Sequence, residues 1–441
     1  MFFLLILAFA LLASLPSPAL AARDPELACA AKRGRCIAFG HADSLTFDAA
    51  LRLRSETIRP VRFGIGGSND SLVLYRGLAS ADLRLHTGFE AVLELGAHAE
   101  TGRSGGPGAV DQGALDAHQA WLGWHRDDWS LRLGRQEAPF GSSRIVSLRD
   151  GPNIRLAFDG ARMTWSGGAN RLDLIALRPV RNRPGAFDDV GERKLALWGA
   201  YATLAPQAAA PARFDVYWLG YERRDARFAI GAGDEYWQSL GLRFFGQFDG
   251  WDWNWEALVQ RGRFDGAPVG RQRIRAWTVA TDSGFILAER AWRPRLGLKA
   301  DIASGDADPG DGRLQTFNGL FPKASYFSEA SLLAPANLID LQPTLSLRPR
   351  PDLEVTAGWD WVWKQRRADA VYTTPTPLRV LPGSIGSSRR VGNQIKLETR
   401  LRLGGGAELR LDLVHFNAGP AVREAGGGDV DYIASAFGWS W

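Results

Sequence analysis

The sequence predicts an all-β chain: a transmembrane antiparallel β-barrel of about eighteen strands, following a cleaved N-terminal signal peptide. Three observations carry this. From Asp43 onward, segments of ten or so residues alternate strictly between apolar and polar side chains. The links between segments alternate long and short. The final segment, Asp429 to Trp441, ends on a bare aromatic strand with no polar tail.

The N-terminus is read first. Phe2–Leu15 is an apolar run broken by Pro16 and Pro18, and Ala19-Leu20-Ala21 supplies a small-x-small cleavage pattern. Residues 1–21 therefore read as a secretory signal, although no Lys or Arg precedes the run. The run is too short for a membrane anchor, and Arg23-Asp24 follow it. Residues 22–42 form a periplasmic segment that holds the only cysteines, Cys29 and Cys36, free to close a small disulfide loop after export. Two cysteines alone do not make a structural zinc site, and no histidine pair stands nearby at finger spacing.

The barrel occupies 43–441. Leu45, Phe47, Ala49, Leu51 and Leu53 share one parity; Thr46, Asp48, Ala50, Arg52 and Arg54 share the other. Trp251, Trp253 and Trp255, then Trp359, Trp361 and Trp363, repeat the pattern, as do Leu397, Leu401 and Leu403 against Glu398, Arg400 and Arg402. Period two means a strand with one apolar face, unlike the continuous apolar runs of parallel sheets. The segments are 45–55, 71–87, 89–100, 115–126, 128–137, 155–165, 170–178, 192–203, 212–224, 235–246, 251–263, 272–282, 295–303, 338–349, 352–363, 391–403, 406–417 and 430–441. Links after odd-numbered segments are mostly long, such as 56–70, 138–154, 304–337 and 364–390. Links after even-numbered ones are mostly tight, such as Gly88, Asp127 and Gly404-Gly405. Long loops at one end and short turns at the other is the bacterial outer-membrane pattern, with the N-terminus on the periplasmic side. The exceptions, 204–211 and 283–294, lie on the periplasmic side, and the second is expected to be a surface turn.

In the last strand Ile433, Phe437, Trp439 and Trp441 share a face. A closed barrel accommodates such an end, because the last strand pairs with the first and lipid covers the outer face. Tryptophan clusters suit the two membrane interfaces, where an amphipathic ring meets headgroup and hydrocarbon. That leaves the polar parity, including Arg52, Arg54, Arg84, Arg132, Arg400, Arg410 and Asp412, lining a wet lumen. Eighteen strands are wide enough for an aqueous channel.

Charge excludes some classes. Lys+Arg total 53 against Asp+Glu 48, for a net +5, and the arginines are spread along the chain rather than gathered in the stripe of a nucleic-acid binder. The six histidines lack metal-ligand spacing, and there is no G-x-S-x-G or H-E-x-x-H motif, so neither an enzyme nor a cofactor is expected. Asp306, Asp308 and Asp311 offer oxygen ligands for calcium among turn glycines, but the run does not match an EF-hand loop and lacks its closing Glu.

The run Arg135-Gln136-Glu137-Ala138-Pro139-Phe140-Gly141-Ser142-Ser143-Arg144-Ile145-Val146-Ser147-Leu148-Arg149-Asp150-Gly151-Pro152-Asn153, followed by Arg155 and Phe158-Asp159-Gly160-Ala161-Arg162, resembles the signature of the alginate export family of outer-membrane proteins. So do Thr316-Phe317-Asn318-Gly319-Leu320-Phe321-Pro322 with Tyr326, Gly392-Asn393-Gln394, and His415-Phe416-Asn417-Ala418-Gly419. The similarity covers about 43–441. It implies an eighteen-stranded barrel in the outer membrane, with an arginine-rich pore like the one through which the characterised exporter passes alginate. Arg135, Glu137, Arg144, Arg149, Arg155, Asp159 and Arg162 match recurrent charged positions and are the candidate solute-facing residues. The 138–154 loop is expected to fold into or over the pore, with Arg144 and Arg149 meeting solute or bracing loop to wall. The expectation is a single-barrel conduit for an anionic or polyhydroxylated solute, such as an exported acidic polysaccharide like alginate; the alternative is a general or sugar-acid uptake porin. An exporter would imply periplasmic components that supply polymer. A barrel enzyme would need a turned-over product, and an adhesive or structural barrel would conduct nothing.

Overall fold

The computed structural model describes residues 36–40, 43–206, 211–323, 325–375 and 378–441. The expected signal peptide and the Cys29 half of the expected disulfide lie outside the described residues.

Eighteen strands form the barrel: β1 Asp43–Arg59, β2 Asp70–Arg84, β3 Phe89–Thr101, β4 Gly113–Arg126, β5 Trp129–Gln136, β6 Phe158–Gly167, β7 Asn170–Arg181, β8 Leu195–Leu204 and β9 Ala212–Phe228 make the first half. The second half is β10 Gly231–Phe248, β11 Trp251–Pro268, β12 Gly270–Ile286, β13 Arg295–Ala303, β14 Leu338–Arg350, β15 Leu353–Trp363, β16 Arg390–Gly404, β17 Ala407–Ala418 and β18 Val430–Ser440. Each pairs antiparallel with the next. β18 returns to β1 in a register running from Ala50↔Ser440 to Arg59↔Asp431, which closes the ring. Backbone bonds between Ala49 and Trp441 extend that seam to the last residue.

The side-chain faces follow the parity of the sequence. Leu51 and Leu53 are 54% and 45% exposed, while Arg54, the next residue and on the opposite face, is 6% exposed. A water-soluble fold would reverse this. With lipid outside, the exposed leucines are the solvated groups and the arginines face a polar interior. The tryptophan clusters lie near opposite ends of their strands. Trp251 and Trp255 start β11 at the periplasmic end, and Trp359 and Trp361 stack at 4.5 Å near the extracellular end of β15. The indole N–H groups of Trp255 and Trp359 donate to Ser283 and Asn393.

Every expected segment has its strand, with 71–87 realised as Asp70–Arg84. The structure differs at two links. The expected gaps 225–234 and 264–271 are mostly strand, so β9 to β12 run 17 or 18 residues and turn through two residues or one. About ten residues cross a membrane, so roughly seven of each extend beyond it as a wall. Asp225, at positive φ beside a register shift between Arg223 and Ala226, hides the continuing alternation from a sequence reading. The 287–294 link is an exposed periplasmic turn, with Trp292 58% exposed.

The long extracellular links do not stand away from the barrel. Residues 137–157 and 304–337 pack with the inner faces of β6 to β12 in one apolar core containing Phe140, Val146, Tyr217, Trp237, Phe264 and Phe321. A second core joins 304–337 to the links 60–69, 364–389 and 419–429 around Phe63, Leu333, Val371 and Val422. Both cores lie inside the ring, so the upper lumen is furnished by loops.

Candidate solute path through the barrel

The 137–157 link is tied to opposite walls. At one end the chain meets β1 and β2. Arg52 donates to the carbonyls of Asp150 at 2.5 Å and Pro152 at 2.9 Å. Arg76 donates to the carbonyls of Asn153 at 2.7 Å, Asp150 at 2.9 Å and Pro152 at 2.8 Å, and to the Asp150 carboxylate at 2.7 Å. Asn153, wholly buried, sends its amide to the carbonyls of Tyr75, Ala99 and Asp111. At the other end, Ser142 and Arg144 donate to Glu256 on β11 at 3.0 and 3.1 Å. On an eighteen-strand ring β2 and β11 are nine places apart, the largest separation available. The link is a crossbar.

Local sequence explains how it gets there. Gly141 sits at φ +56 where a Cβ would strike the Tyr201 hydroxyl, so only glycine lets the chain pass that wall. The Ile145-Val146 stretch then runs beside Phe321 of the 304–337 link. Phe321 N donates to Ile145 O, Ser147 N to Phe321 O, and Lys323 N to Ser143 O, at 2.9, 2.9 and 3.0 Å. The second link is itself fixed. Asn318 exchanges bonds with Gln260 and donates to Glu235, while Gln342 and Lys396 donate to the Phe327 carbonyl.

The seven charged positions expected at the pore divide by what they touch. Arg144 is 5% exposed; besides Glu256 it bonds the Tyr326 hydroxyl through two nitrogens and lies over that ring. Burial alone would lower its pKa, but Tyr326, Asp301 and Glu256 hold it above its ordinary value. Its geometry is that of a brace. Arg149 differs. It sits at φ +52, its guanidinium lies 5.7 Å from the Phe321 ring, and neither Nε nor one Nη has a hydrogen-bond partner. Burial pushes it down to about 10, with Arg223 adding to the effect against Tyr221, and it stays charged at neutral pH.

Glu137 accepts from His118 at 2.9 Å and pairs with Arg155 at 3.3 Å. Arg155 also reaches Asp150 at 3.9 Å. Burial works against the Asp150 charge, but Arg76, Arg52 and Arg155 outweigh it and pull that carboxyl down to about 2. Arg135 forms a two-bond fork on Asp159 at 2.8 and 3.3 Å and also donates to the Ala117 and Asp189 carbonyls. Arg162 donates to Asp173 at 2.9 Å and stacks 4.8 Å from Phe140. Arg135, Asp159 and Arg162 thus line the wall of β5 and β6, while Glu137, Arg149 and Arg155 belong to the crossbar.

Sequence reasoning did not single out Arg76 or Glu256, and it marked Tyr326 only as part of the family resemblance, not as a partner of Arg144; all three hold the crossbar. Parity did not reveal Arg76, because Leu72, Leu74 and Leu78 share its face and turn inward with it, while Tyr75 on the other face is 46% exposed. Glu256 and Tyr326 meet Arg144 across 112 and 182 residues, and nothing local announces them. Asp306 is 1% exposed, whereas Asp308 and Asp311 are exposed and accept from turn amides of Gly310 and Arg313. Among the described residues, the acidic and histidine groups that converge are instead Glu94, His118 and Glu137, and Asp116, Asp188 and Asp189.

Solved structures with the same fold are outer-membrane porins. OccK9 (OpdG) of Pseudomonas aeruginosa superposes with a TM-score of 0.62 at 13% identity, over 90% of this chain and 98% of that one. OpdK of the same organism, in a structure with vanillate, gives 0.58 at 12%, over 90% and 99%. OccAB1 of Acinetobacter baumannii gives 0.58 at 12%, over 90% and 96%. No curated protein matches the sequence. The closed ring with its apolar outer face places the protein in the outer membrane as a β-barrel, and the likeness to these structures is one of fold. The alginate export family model matches residues 43–435, nearly all of the barrel, and the chain belongs to the alginate export family.

Proposed function

We propose that the protein is an uptake channel for small carboxylate-bearing solutes of the sugar-acid class. The crossbar carries this reading. A link fixed to opposite walls, and sewn to a second folded-in link, divides the upper lumen into a passage suited to a small solute and not to a polymer chain. The groups beside the crossbar are guanidinium-rich: Arg52, Arg76, Arg149 and Arg155 outnumber Glu137 and Asp150. A surplus of arginine attracts anions, and its planar fork suits a carboxylate. OpdK, a barrel of the same fold, was solved with vanillate, an aromatic carboxylate.

Passage of an exported acidic polysaccharide is the second reading, favoured by the family's description. It would require periplasmic components to deliver polymer and a crossbar that moves aside. Planar-bilayer recording separates the two. The uptake reading expects an anion-selective current reduced by millimolar glucuronate from either side. Block by alginate oligomers with indifference to glucuronate would overturn it in favour of export.

A further inference from the structure

Away from the crossbar, the extracellular link after β7 folds back against the start of β4. The amide of Ala114 donates to the carbonyls of Pro184 and Gly185 at 3.2 and 3.1 Å, and that of Phe187 to Leu115 O at 2.8 Å. This docking brings Asp188 and Asp189 of the link onto Asp116 of the strand, with one carboxylate oxygen of each within 4.8 Å of the other two. Oxygens bound to one calcium ion at 2.3–2.6 Å stand at most about 5 Å apart, so the spacing fits a shared ion.

The hydrogen bonds do not account for the cluster. Asp116 is only 8% exposed, accepts the Asp189 amide through Oδ1 at 3.2 Å, and leaves Oδ2 with no partner. Asp188 accepts the Gly185 amide through Oδ2 at 3.2 Å and leaves Oδ1 equally bare. Asp189 accepts from Arg183 N at 2.6 Å and from the Asn182 amide at 3.0 Å. Among the described residues, no Lys or Arg side chain forms an ion pair with any of the three. Arg135 stands beside them, but its donors go to Asp159 and to the carbonyls of Ala117 and Asp189. Buried carboxylate oxygens without partners, on side chains gathered this closely, are costly unless a cation sits among them. The other converging group, Glu94, His118 and Glu137, already holds a cation, because Arg155 lies 3.3 Å from Glu137.

We propose that Asp116, Asp188 and Asp189 form a calcium site that fastens this extracellular link to the mouth of the barrel. Three hard oxygen donors, one on a strand and two on a loop, with water free to complete the shell, match calcium's irregular seven- or eightfold coordination better than the rigid octahedron magnesium demands. The site adds a structural ion at the mouth and does not depend on which solute passes.

The test uses the full chain, refolded free of lipopolysaccharide, stripped with EDTA and titrated with CaCl2 by calorimetry. The expected result is one saturable site, with the affinity lowered at least tenfold by Asp116→Asn and by Asp188→Asn, and binding of MgCl2 clearly weaker. Heat-modifiable gel mobility reports whether each variant retains its barrel. Asp188→Asn, half-buried on the link, keeps the test decisive if Asp116→Asn fails to fold. Absence of saturable calcium uptake by the parent, uptake unchanged in a folded Asp188→Asn barrel, or equal affinity for magnesium would each overturn the proposal.

Discussion

Replacing Arg144 by alanine should free one end of the crossbar. The guanidinium is buried between Glu256 and Tyr326, and Glu256 itself is 4% exposed. After the substitution, Glu256 keeps Tyr217 on one oxygen at 2.6 Å and Ser142 on the other at 3.0 Å, but loses its only counter-charge among the described residues. Breaking a buried pair from one side costs about 3–5 kcal/mol. At 1.4 kcal/mol per power of ten, the detached state of that end should gain about two to three and a half powers of ten in population. Because the crossbar divides the lumen, detachment should appear in single-channel recordings as a larger mean conductance with added open-channel noise. Replacing both members, Arg144→Met with Glu256→Gln, removes the stranded charge and should restore most of the quiet, parent-like trace. A folded Arg144→Ala barrel with unchanged conductance and noise would refute the crossbar reasoning, as would a double variant noisier than the single.

Three further outcomes are expected. Arg149→Ala should leave the fold intact, since the guanidinium makes few bonds, yet lower anion selectivity in reversal-potential measurements and weaken glucuronate block by about tenfold, the scale of one charge-assisted contact. Arg76→Ala should cost about 2–4 kcal/mol by stripping donors from Asp150, Pro152 and Asn153, read as a lower midpoint of thermal unfolding. Burial, with Asp369 beside it, raises Asp306 to about 7, well above the usual 3.8, so the native loop holds a proton that the unfolded chain releases. Its contribution is therefore most favourable below about pH 4 and is lost as pH rises through about 7; Asp306→Asn should raise the unfolding midpoint relative to the parent at pH 8 and not at pH 4.

Strand reading succeeded here because membrane barrels write their architecture into local alternation. Leu51-Arg52-Leu53-Arg54 declares both faces of β1 in four residues, and the Trp251 and Trp359 clusters repeat the alternation in β11 and β15. The same locality explains the failures. The extra length of β9 and β10 depends on a bulge at Asp225 that breaks the period without ending the strand. The crossbar depends on contacts between residues 74 to 182 positions apart, such as Arg76 with Asp150 and Arg144 with Tyr326. Charge at 144 and 149 was visible in the sequence; that one arginine is a brace and the other has bare N–H groups was not, because the difference lies in distant partners.

The two-ended fastening of residues 137–157 also sets an order of assembly. One anchor, β1 with β2, lies about a hundred residues before the crossbar, and the other, Glu256, as far after it. Tyr326 comes later still, and β18, which seals the ring, comes last. The crossbar therefore has no complete seat until more than half the strands exist, and all of its anchors precede β18 in the chain. Its insertion belongs to the interval when the sheet is long but still open. Time-resolved cysteine cross-linking between positions 142 and 256 during refolding should then form no later than a cross-link between β1 and β18. Contacts of such long range are slow to form, so an inserted crossbar is also a checkpoint: a barrel that zips shut early would trap an empty bore.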